Sequence, residues 1–139
     1  PGFEYDGVPA TTLAAKQAYE QAGIRNPLKE IDLAETHDCF TITEILNYED
    51  LLFCEKGTGG RFIEEGHSAI GGKLPVNPSG GLKSFGHPIG ATGIRMIYEV
   101  TRQLQHRVGD RQVKDAQIGL AHNLGGPGAV GCVTILGNP

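Results

Sequence analysis

The stretch "NPSGGLKSFGHPIGATG", residues 77–93, contains five glycines, two prolines and a single histidine, His87. Glycine tolerates backbone conformations closed to other residues, and proline fixes φ and removes a hydrogen-bond donor. The next residues, "ATGIRMIYEVTRQLQ" (91–105), have apolar side chains at helical spacing. They predict a helix with an apolar stripe of Ile94, Ile97, Val100 and Leu104. His87 is therefore expected in a constrained loop at the start of a helix.

Length and charge limit the classes of function. The 139 residues fit one domain, and the formal net charge of −4 with scattered Lys and Arg argues against a nucleic-acid partner. No apolar run is long enough for a membrane span, so no membrane association is expected. The sequence starts at Pro1 without a secretory segment, which we interpret as processing, a fragment or one half of something larger.

The cysteines are predicted to be free thiols in a reducing, cytoplasmic location. Cys39, Cys54 and Cys132 are odd in number and form no CxxC pair. The five histidines do not pair with them at ligand spacing, so no metal site is predicted. Cys54 and Cys132 are interpreted as core residues, and His67 and His106 as solvated side chains.

The first half of the chain predicts two helices around a strand. The helix over 11–24 is expected to be capped by Thr11 or Thr12 and to end at Gly23. A strand over 30–36 leads into a helix over 41–53, where Thr41 followed by Glu44 forms a capping-box pattern.

The second half predicts a long loop, the helix after His87 and two strands. Residues 54–82 are interpreted as loop, and the β-type runs 115–122 and 128–136 are joined by "NLGGP" as a tight hairpin-like connection. The predicted fold class is α/β, a layered βαβ-type sheet covered by helices.

Three loops carry the candidate chemistry: "HDCF" (37–40), "GHP" (86–88) and "HNLGG" (122–126). A thiol beside imidazoles suits acyl transfer or carbanion chemistry, because a neighbouring imidazolium favours the thiolate and backbone N–H groups can hold an oxyanion. The alternatives are a small buried hydrophobe for Cys39 and a turn residue for His87. His122 either anchors backbone or belongs to the site, and Asp38 is interpreted as a helix-start residue.

These blocks resemble the C-terminal half of thiolases, specifically the sterol-carrier-protein-X type and its bacterial and archaeal relatives. "HDCF" resembles that subfamily's version of the thiolase NEAF loop, and "NPSGGLKSFGHPIGATG" resembles the GHP signature. "HNLGGPGAVGCVTIL" resembles the closing strand–turn–strand. The resemblance covers nearly the whole chain, so residues 1–139 are interpreted as one thiolase C-terminal domain. Such a domain is one half of the thiolase fold.

The resemblance implies roles for individual residues. His87 would face the nucleophilic cysteine of the other half and contribute to an oxyanion hole, in which His37 would replace the NEAF asparagine. Cys39 would transfer the α-carbon proton, because Ala121 stands where ordinary thiolases have that cysteine. Backbone N–H groups at Asn123 and Gly125 would complete a second oxyanion hole.

The resemblance also implies partners. No stretch matches the CxS loop of the nucleophilic cysteine, so the isolated chain is expected to be inactive without a complementary N-terminal half. The substrate would be a coenzyme A thioester, with no covalently bound cofactor; Lys73 and Lys83 are candidates for pairing with its phosphates. A homo- or hetero-oligomer is expected, with a zinc-ribbon and OB-fold acyl-CoA-binding protein as a further partner.

Three functions remain open from the sequence. The first is a thiolase acyltransferase of lipid and fatty acid metabolism, which cleaves 3-oxoacyl-CoA or runs the reverse Claisen condensation. The second is a retro-aldolase of the same superfamily acting on CoA-linked side chains, a branch that has commonly replaced the thiol and imidazoles. The third is a non-catalytic assembly subunit. Retention of His37, Cys39 and His87 favours the first.

Overall fold

The fold is a three-stranded sheet with helices on both faces. The computed structural model describes residues 7–138. Its strands are β1 (Leu33–Glu35), β2 (Ile118–Gly125) and β3 (Val130–Gly137). The helices are α1 (Pro9–Ala22), α2 (Pro27–Glu30), α3 (Thr41–Asp50), α4 (Gly59–Glu64), α5 (Gly81–Phe85) and α6 (Thr92–Leu104), with a 3-10 turn at Gly109–Arg111. Among the described helices, none is long and apolar enough to cross a membrane.

The strands lie in the order β1-β2-β3. β1 runs parallel to β2, and β2 pairs antiparallel with β3 along its whole length. An isolated parallel bridge joins Ala34 to Val76 on the outer side of β1. This arrangement confirms the predicted α/β class and the hairpin. The hairpin turn follows Gly125, however, so "NLG" belongs to β2, and only Gly126 and Pro127 of the predicted connection lie in the turn.

Successive residues of a strand point to opposite faces of the sheet, and each face is covered by one long helix. α1 packs closely on β3, because a Cβ at Gly131 would lie 2.7 Å from the Ala10 carbonyl oxygen. α6 packs closely on β2, because a Cβ at Gly119 would lie 2.5 Å from Val100 Cγ1. Two separate apolar cores result, one containing Ala15, Tyr48 and Leu120 and the other containing Leu33, Met96 and Val100.

The starts of two helices differ from the prediction. α1 begins at Pro9 after Val8, so neither Thr11 nor Thr12 caps it; Gly23 ends it in the left-handed conformation (φ 72°), as predicted. α3 begins at Thr41, with Phe40 as its N-cap residue and no capping side chain. The prediction of a capping box formed by Thr41 and Glu44 is therefore wrong. Glu44 instead accepts the Tyr48 hydroxyl proton at 2.7 Å.

Other differences concern burial. The loop predicted over 54–82 contains the short helix α4 and the first two residues of α5. Ile94 and Ile97 are exposed, because the face of α6 that meets the sheet carries Met96, Val100 and Leu104. Cys54 packs against the first core, whereas Cys132 is exposed. The prediction of a core Cys132 is wrong because β3 is an edge strand that α6 does not cover fully.

Candidate functional site

Two of the predicted site histidines lie side by side. The His37 and His87 rings are 4.9 Å apart between centroids and nearly perpendicular, at 88°. His37 comes from the loop between β1 and α3, and His87 from the loop between α5 and α6. The structure thus brings together two loops that are 50 residues apart in sequence.

His37 is buried and bonded to β2. Its Nδ1 lies 2.8 Å from Asn123 Oδ1 and 3.4 Å from the Leu124 nitrogen. Burial lowers the pKa of His37, and the nearby His87 lowers it further, whereas the Asn123 bond and Asp38 raise it. A neutral ring that donates Nδ1–H to the closer Asn123 oxygen leaves a lone pair on Nε2.

His87 is exposed and oriented by α6. Its Nδ1 lies 2.7 Å from Thr92 Oγ1, and the Thr92 hydroxyl is 3.2 Å from the Pro88 carbonyl oxygen. When Thr92 donates to Pro88, it accepts Nδ1–H from the imidazole. His87 Nε2 is then the ring atom available to a substrate or to a neighbouring thiol.

Cys39 lies two residues after His37 and is half-buried. It packs against the apolar core on the α6 face of the sheet. No hydrogen bond to its Sγ is present within residues 7–138. The thiol therefore packs on the face of the sheet that α6 covers, and its role in proton transfer stays a prediction.

Asp38 connects the two histidine loops. The interpretation of Asp38 as a start residue of the following helix is wrong, because its Oδ1 accepts the Leu82 N–H of α5 at 2.6 Å, and its Oδ2 lies 3.5 Å from Lys83 Nζ. A Cβ at Gly81, where φ is 65°, would lie 2.1 Å from Asp38 Oδ2. Only glycine fits there.

A second link supports the same pair of loops. The Thr36 N–H donates to Asn77 Oδ1 at 2.7 Å, and Asn77 Nδ2 donates to Thr36 Oγ1 at 3.3 Å. Asn77 itself adopts a positive φ of 53°. Asparagine tolerates that conformation better than most residues, so backbone and side chain together explain its presence.

His122 lies outside the site. It is fully buried on the α1 face, where its Nε2 is 3.0 Å from Thr11 Oγ1. Burial, aided by the charge of His37, lowers the pKa of His122 to about 3. The alternative that His122 belongs to the site is therefore wrong. His122 acts as an anchor, but it contacts the Thr11 side chain and not the backbone.

Asn123 belongs to the site through its side chain. Asn123 pairs with Cys132 and Gly125 with Val130 in the β2–β3 ladder, so both lie in regular strand and not in a turn. A Cβ at Gly93 would lie 3.0 Å from Asn123 Nδ2, so the glycine at the start of α6 makes room for this amide. The oxyanion role of the Asn123 and Gly125 backbone stays a prediction.

The sequence did not predict that the Thr92 hydroxyl contacts His87 or that the Asn123 side-chain amide contacts His37. Thr92 follows His87 by five residues, and the start of a helix next to a histidine was the available signal. Nothing local indicated that Asn123 reaches His37, because the two are 86 residues apart. Their meeting depends on the parallel pairing of β1 with β2.

The lysines suggested for phosphate pairing have partners within the chain. Lys83 forms an ion pair with Glu44, and Lys73 Nζ lies 2.8 Å from His67 Nε2. His67 is half-buried, with Glu65 Oε2 at 3.0 Å, while His106 is exposed. Within the part of the chain that the structure describes, no group of three His, Cys, Asp or Glu residues is arranged to hold a metal ion.

The fold and the loop geometry define a domain of the thiolase superfamily. Residues 5–138 match the family described as Thiolase C-terminal domain-like. The chain belongs to this family.

Individual relatives agree. The chain is 52% identical over 128 residues to an acetyl-CoA acetyltransferase of Methanothermobacter thermautotrophicus, covering 92% of this chain and 33% of that protein. It is 46% identical over 117 residues to human sterol carrier protein 2, covering 84% of this chain and 21% of the relative. A solved structure described as an Ltp2-ChsH2(DUF35) aldolase superposes with a TM-score of 0.82 at 32% identity, covering 98% of this chain and 34% of that one.

Proposed function

We propose that this chain supplies the proton-transfer and oxyanion half of a thiolase active site, which cleaves a 3-oxoacyl-CoA with coenzyme A or runs the reverse condensation. The observation that carries the proposal is the paired His37 and His87 rings, 4.9 Å apart, on the same sheet face as the Cys39 thiol. The chain spans about a third of the acetyl-CoA acetyltransferase that it matches, so the nucleophile is assigned to another part of the enzyme.

In this proposal each side chain has one task. The Cys39 thiol protonates the enolate released when the carbon–carbon bond breaks, and as thiolate it removes that proton in the reverse direction. Nε2 of His87, protonated, donates to the thioester oxygen while negative charge develops on it. Nε2 of neutral His37 accepts from a water whose other hydrogen points to the same oxygen.

A complementary half is part of the proposal, and the exposed surface of α6 supports it. Four large hydrophobic side chains lie on or just before this helix and remain exposed: Ile89, Ile94, Ile97 and Tyr98. A cavity of about 240 Å³ between α6 and the hairpin is lined by three of these isoleucines together with Asn123 and Cys132. A continuous apolar surface beside a site is typical of a protein interface.

A retro-aldolase acting on a CoA-linked side chain is the second candidate. The observation in its favour is the superposition on the solved aldolase, whose description joins Ltp2 to ChsH2(DUF35). Such an enzyme needs no acid–base thiol. Retention of the thiol and both imidazoles therefore favours the acyltransferase, and an additional acyl-CoA-binding chain is an expected partner of either enzyme.

The test is thiolysis by the reconstituted enzyme. The chain is co-expressed with a thiolase N-terminal half, and loss of acetoacetyl-CoA is followed by its enolate absorbance with and without free coenzyme A. Cys39→Ala is expected to lower the rate by at least about 10²-fold, the usual order for a general acid–base group. The matched control is Cys54→Ala, which removes a half-buried thiol in the other apolar core.

Three outcomes separate the candidates. Turnover that requires coenzyme A and depends on Cys39 supports the thiolase. Cleavage of a 3-hydroxyacyl-CoA without coenzyme A, at equal rates in wild type and Cys39→Ala, identifies the aldolase. No turnover of either substrate by a complex that assembles fully identifies a non-catalytic subunit.

A further inference from the structure

A buried polar cluster lies directly beneath the two histidine loops. Glu35 is the last residue of β1 and is fully buried. Its Oε1 accepts the Ser79 N–H at 3.1 Å, and its Oε2 accepts the Ser79 hydroxyl proton at 2.7 Å. This is a third bond set between residues 35–38 and residues 77–82, next to the Thr36–Asn77 and Asp38–Leu82 bonds.

Arg95 connects this cluster to α6. Its Nη1 donates to Ser79 Oγ at 2.9 Å, and its Nη2 lies 3.4 Å from Glu35 Oε2. The guanidinium carbon is 4.8 Å from the centroid of the Phe85 ring, within cation–π range. The Ser79 hydroxyl accepts from Arg95 and donates to Glu35, so all three side chains have consistent donor and acceptor roles.

The cluster is adjacent in sequence to both site histidines. Glu35 precedes His37 by two residues. Arg95 lies three residues, about one helical turn, after Thr92, whose hydroxyl lies 2.7 Å from His87 Nδ1. Within residues 7–138, neither imidazole ring forms a hydrogen bond or ion pair with Glu35, Ser79 or Arg95, so the cluster acts on the rings through the backbone that carries them.

We propose that Glu35, Ser79 and Arg95 form a positioning device that fixes α6, and with it His87, relative to His37. The contact of α6 with the sheet at Val100 and Gly119 is apolar and therefore non-directional. Hydrogen bonds and a paired guanidinium are directional, so they set the register of the helix on the sheet. The effect on rate rests on the proposed function, whereas the effect on ring geometry does not.

The chain contains a matched comparison for this cluster. Glu99, one turn further along α6, is buried and binds Arg111 through two contacts of 2.9 and 3.0 Å. This second Arg–Glu pair joins α6 to the 3-10 turn at Gly109–Arg111, and neither of its two hydrogen bonds reaches the histidine loops. Breaking it also leaves a buried glutamate without its cation, so stability falls for the same reason in both cases.

The experiment compares Arg95→Met with Arg111→Met by NMR of the 139-residue chain. In Arg95→Met the nuclear Overhauser contact between the His37 and His87 rings is expected to weaken or vanish, and the ring nitrogen signals to shift. In Arg111→Met both are expected to stay as in wild type. Ser79→Ala removes the bridging hydroxyl without leaving a charge unpaired, so it provides the same test if Arg95→Met does not fold.

The rate is measured separately in the assembled enzyme. Arg95→Met is expected to lower kcat by about 10²-fold with little change in KM, since small displacements of positioned groups act on the chemical step. Arg111→Met keeps the wild-type kcat. Unchanged ring contacts in folded Arg95→Met and Ser79→Ala, or an equal change in Arg111→Met, would overturn the proposal. An inactive wild-type enzyme with these ring effects would refute the proposed function alone.

Discussion

The two faces of β2 differ in how they treat a polar side chain. His122 points to the α1 face, is completely buried and has Thr11 as its partner. Asn123, the next residue, points to the α6 face, remains half-exposed and holds His37. One strand thus places a fully buried imidazole on one side and the hydrogen-bond partner of the His37 imidazole on the other.

The difference follows from how completely each helix covers its face. On the α1 side, Thr11 and Ala15 are fully buried and the apolar core extends to Tyr48 and Phe53. On the α6 side, Ile94 and Tyr98 of the helix remain exposed. We infer that the covered face supplies stability and the open face supplies chemistry, and the predictions below test that division.

The largest expected effect is on catalysis by the open face. His87→Ala is expected to reduce thiolysis by the assembled enzyme by about 10³-fold, because in the proposed function His87 is an oxyanion donor and the partner of the nucleophilic thiol. The free energy of unfolding should change little, since the ring is exposed. Rates with acetoacetyl-CoA and urea melts of the same preparation measure both quantities.

His122→Gln is the control, with the opposite pattern. It should leave thiolysis nearly unchanged while altering stability, because His122 contacts only the covered face. A loss of rate in His122→Gln as large as that in His87→Ala would show that the two faces are not separate in function.

The next effect concerns the junction of the two loops. Gly81→Ala is expected to destabilise the chain by about 3 kcal/mol, because φ is 65° there and the new Cβ would collide with the Asp38 carboxylate. Gly60→Ala, in α4 with open space and ordinary φ, should instead be neutral or slightly stabilising. Equal urea midpoints for the two variants would contradict the assigned contact of Gly81 with Asp38.

The sequence predicts the elements of this fold better than their relations. Hydrophobic spacing and glycine placement located the helix after His87, the end of α1 at Gly23 and the β2–β3 hairpin, because these depend on neighbouring residues. Half of the predicted α6 stripe was wrong for a different reason: Val100 and Leu104 are buried as predicted, whereas the two isoleucines are exposed. Ile94 and Ile97 have the spacing of a buried face, but which face meets the sheet depends on the close approach at Gly119.

The site shows the same limit. "HDCF" and "GHP" were identifiable from the sequence, because residue type and motif are local. The Asn123–His37, Asp38–Leu82 and Glu35–Ser79 bonds were not, because each joins residues at least 44 positions apart in sequence. Such links require the sheet order, which no local pattern provides.

The smallest effect sharpens the comparison through pH. The pKa of His122 is lowered to about 3 by burial, from an ordinary value of 6.5. Between those values the unfolded chain binds a proton that the folded chain does not. The His122 contribution to stability is therefore complete above about pH 6.5 and is lost as the pH falls towards 3, by at most about 1.4 kcal/mol per pH unit.

Glu35 acts in the opposite direction over part of this range. Burial raises its pKa to about 7, although the Ser79 bonds and Arg95 lower it. Because the folded chain holds the Glu35 proton more tightly than the unfolded chain, the Glu35 contribution to the free energy of unfolding is fully present below about pH 4.5. It is lost as the pH rises through 7. Measuring wild type alone would mix the two titrations. The difference in unfolding free energy between wild type and His122→Gln removes the Glu35 term, because both proteins contain it.

That difference is expected to shift in favour of His122→Gln by up to about 2.7 kcal/mol between pH 6.5 and 4.5, when urea melts are compared at the two values. His106→Gln, which makes the same substitution at an exposed ring, is the matched control for the effect of the exchange itself. If the difference between wild type and His122→Gln is independent of pH, the ring is accessible to protons in the folded state. The face under α1 would then be open to water. The two sides of β2 would differ only in which residue their polar side chains contact, Thr11 for His122 and His37 for Asn123.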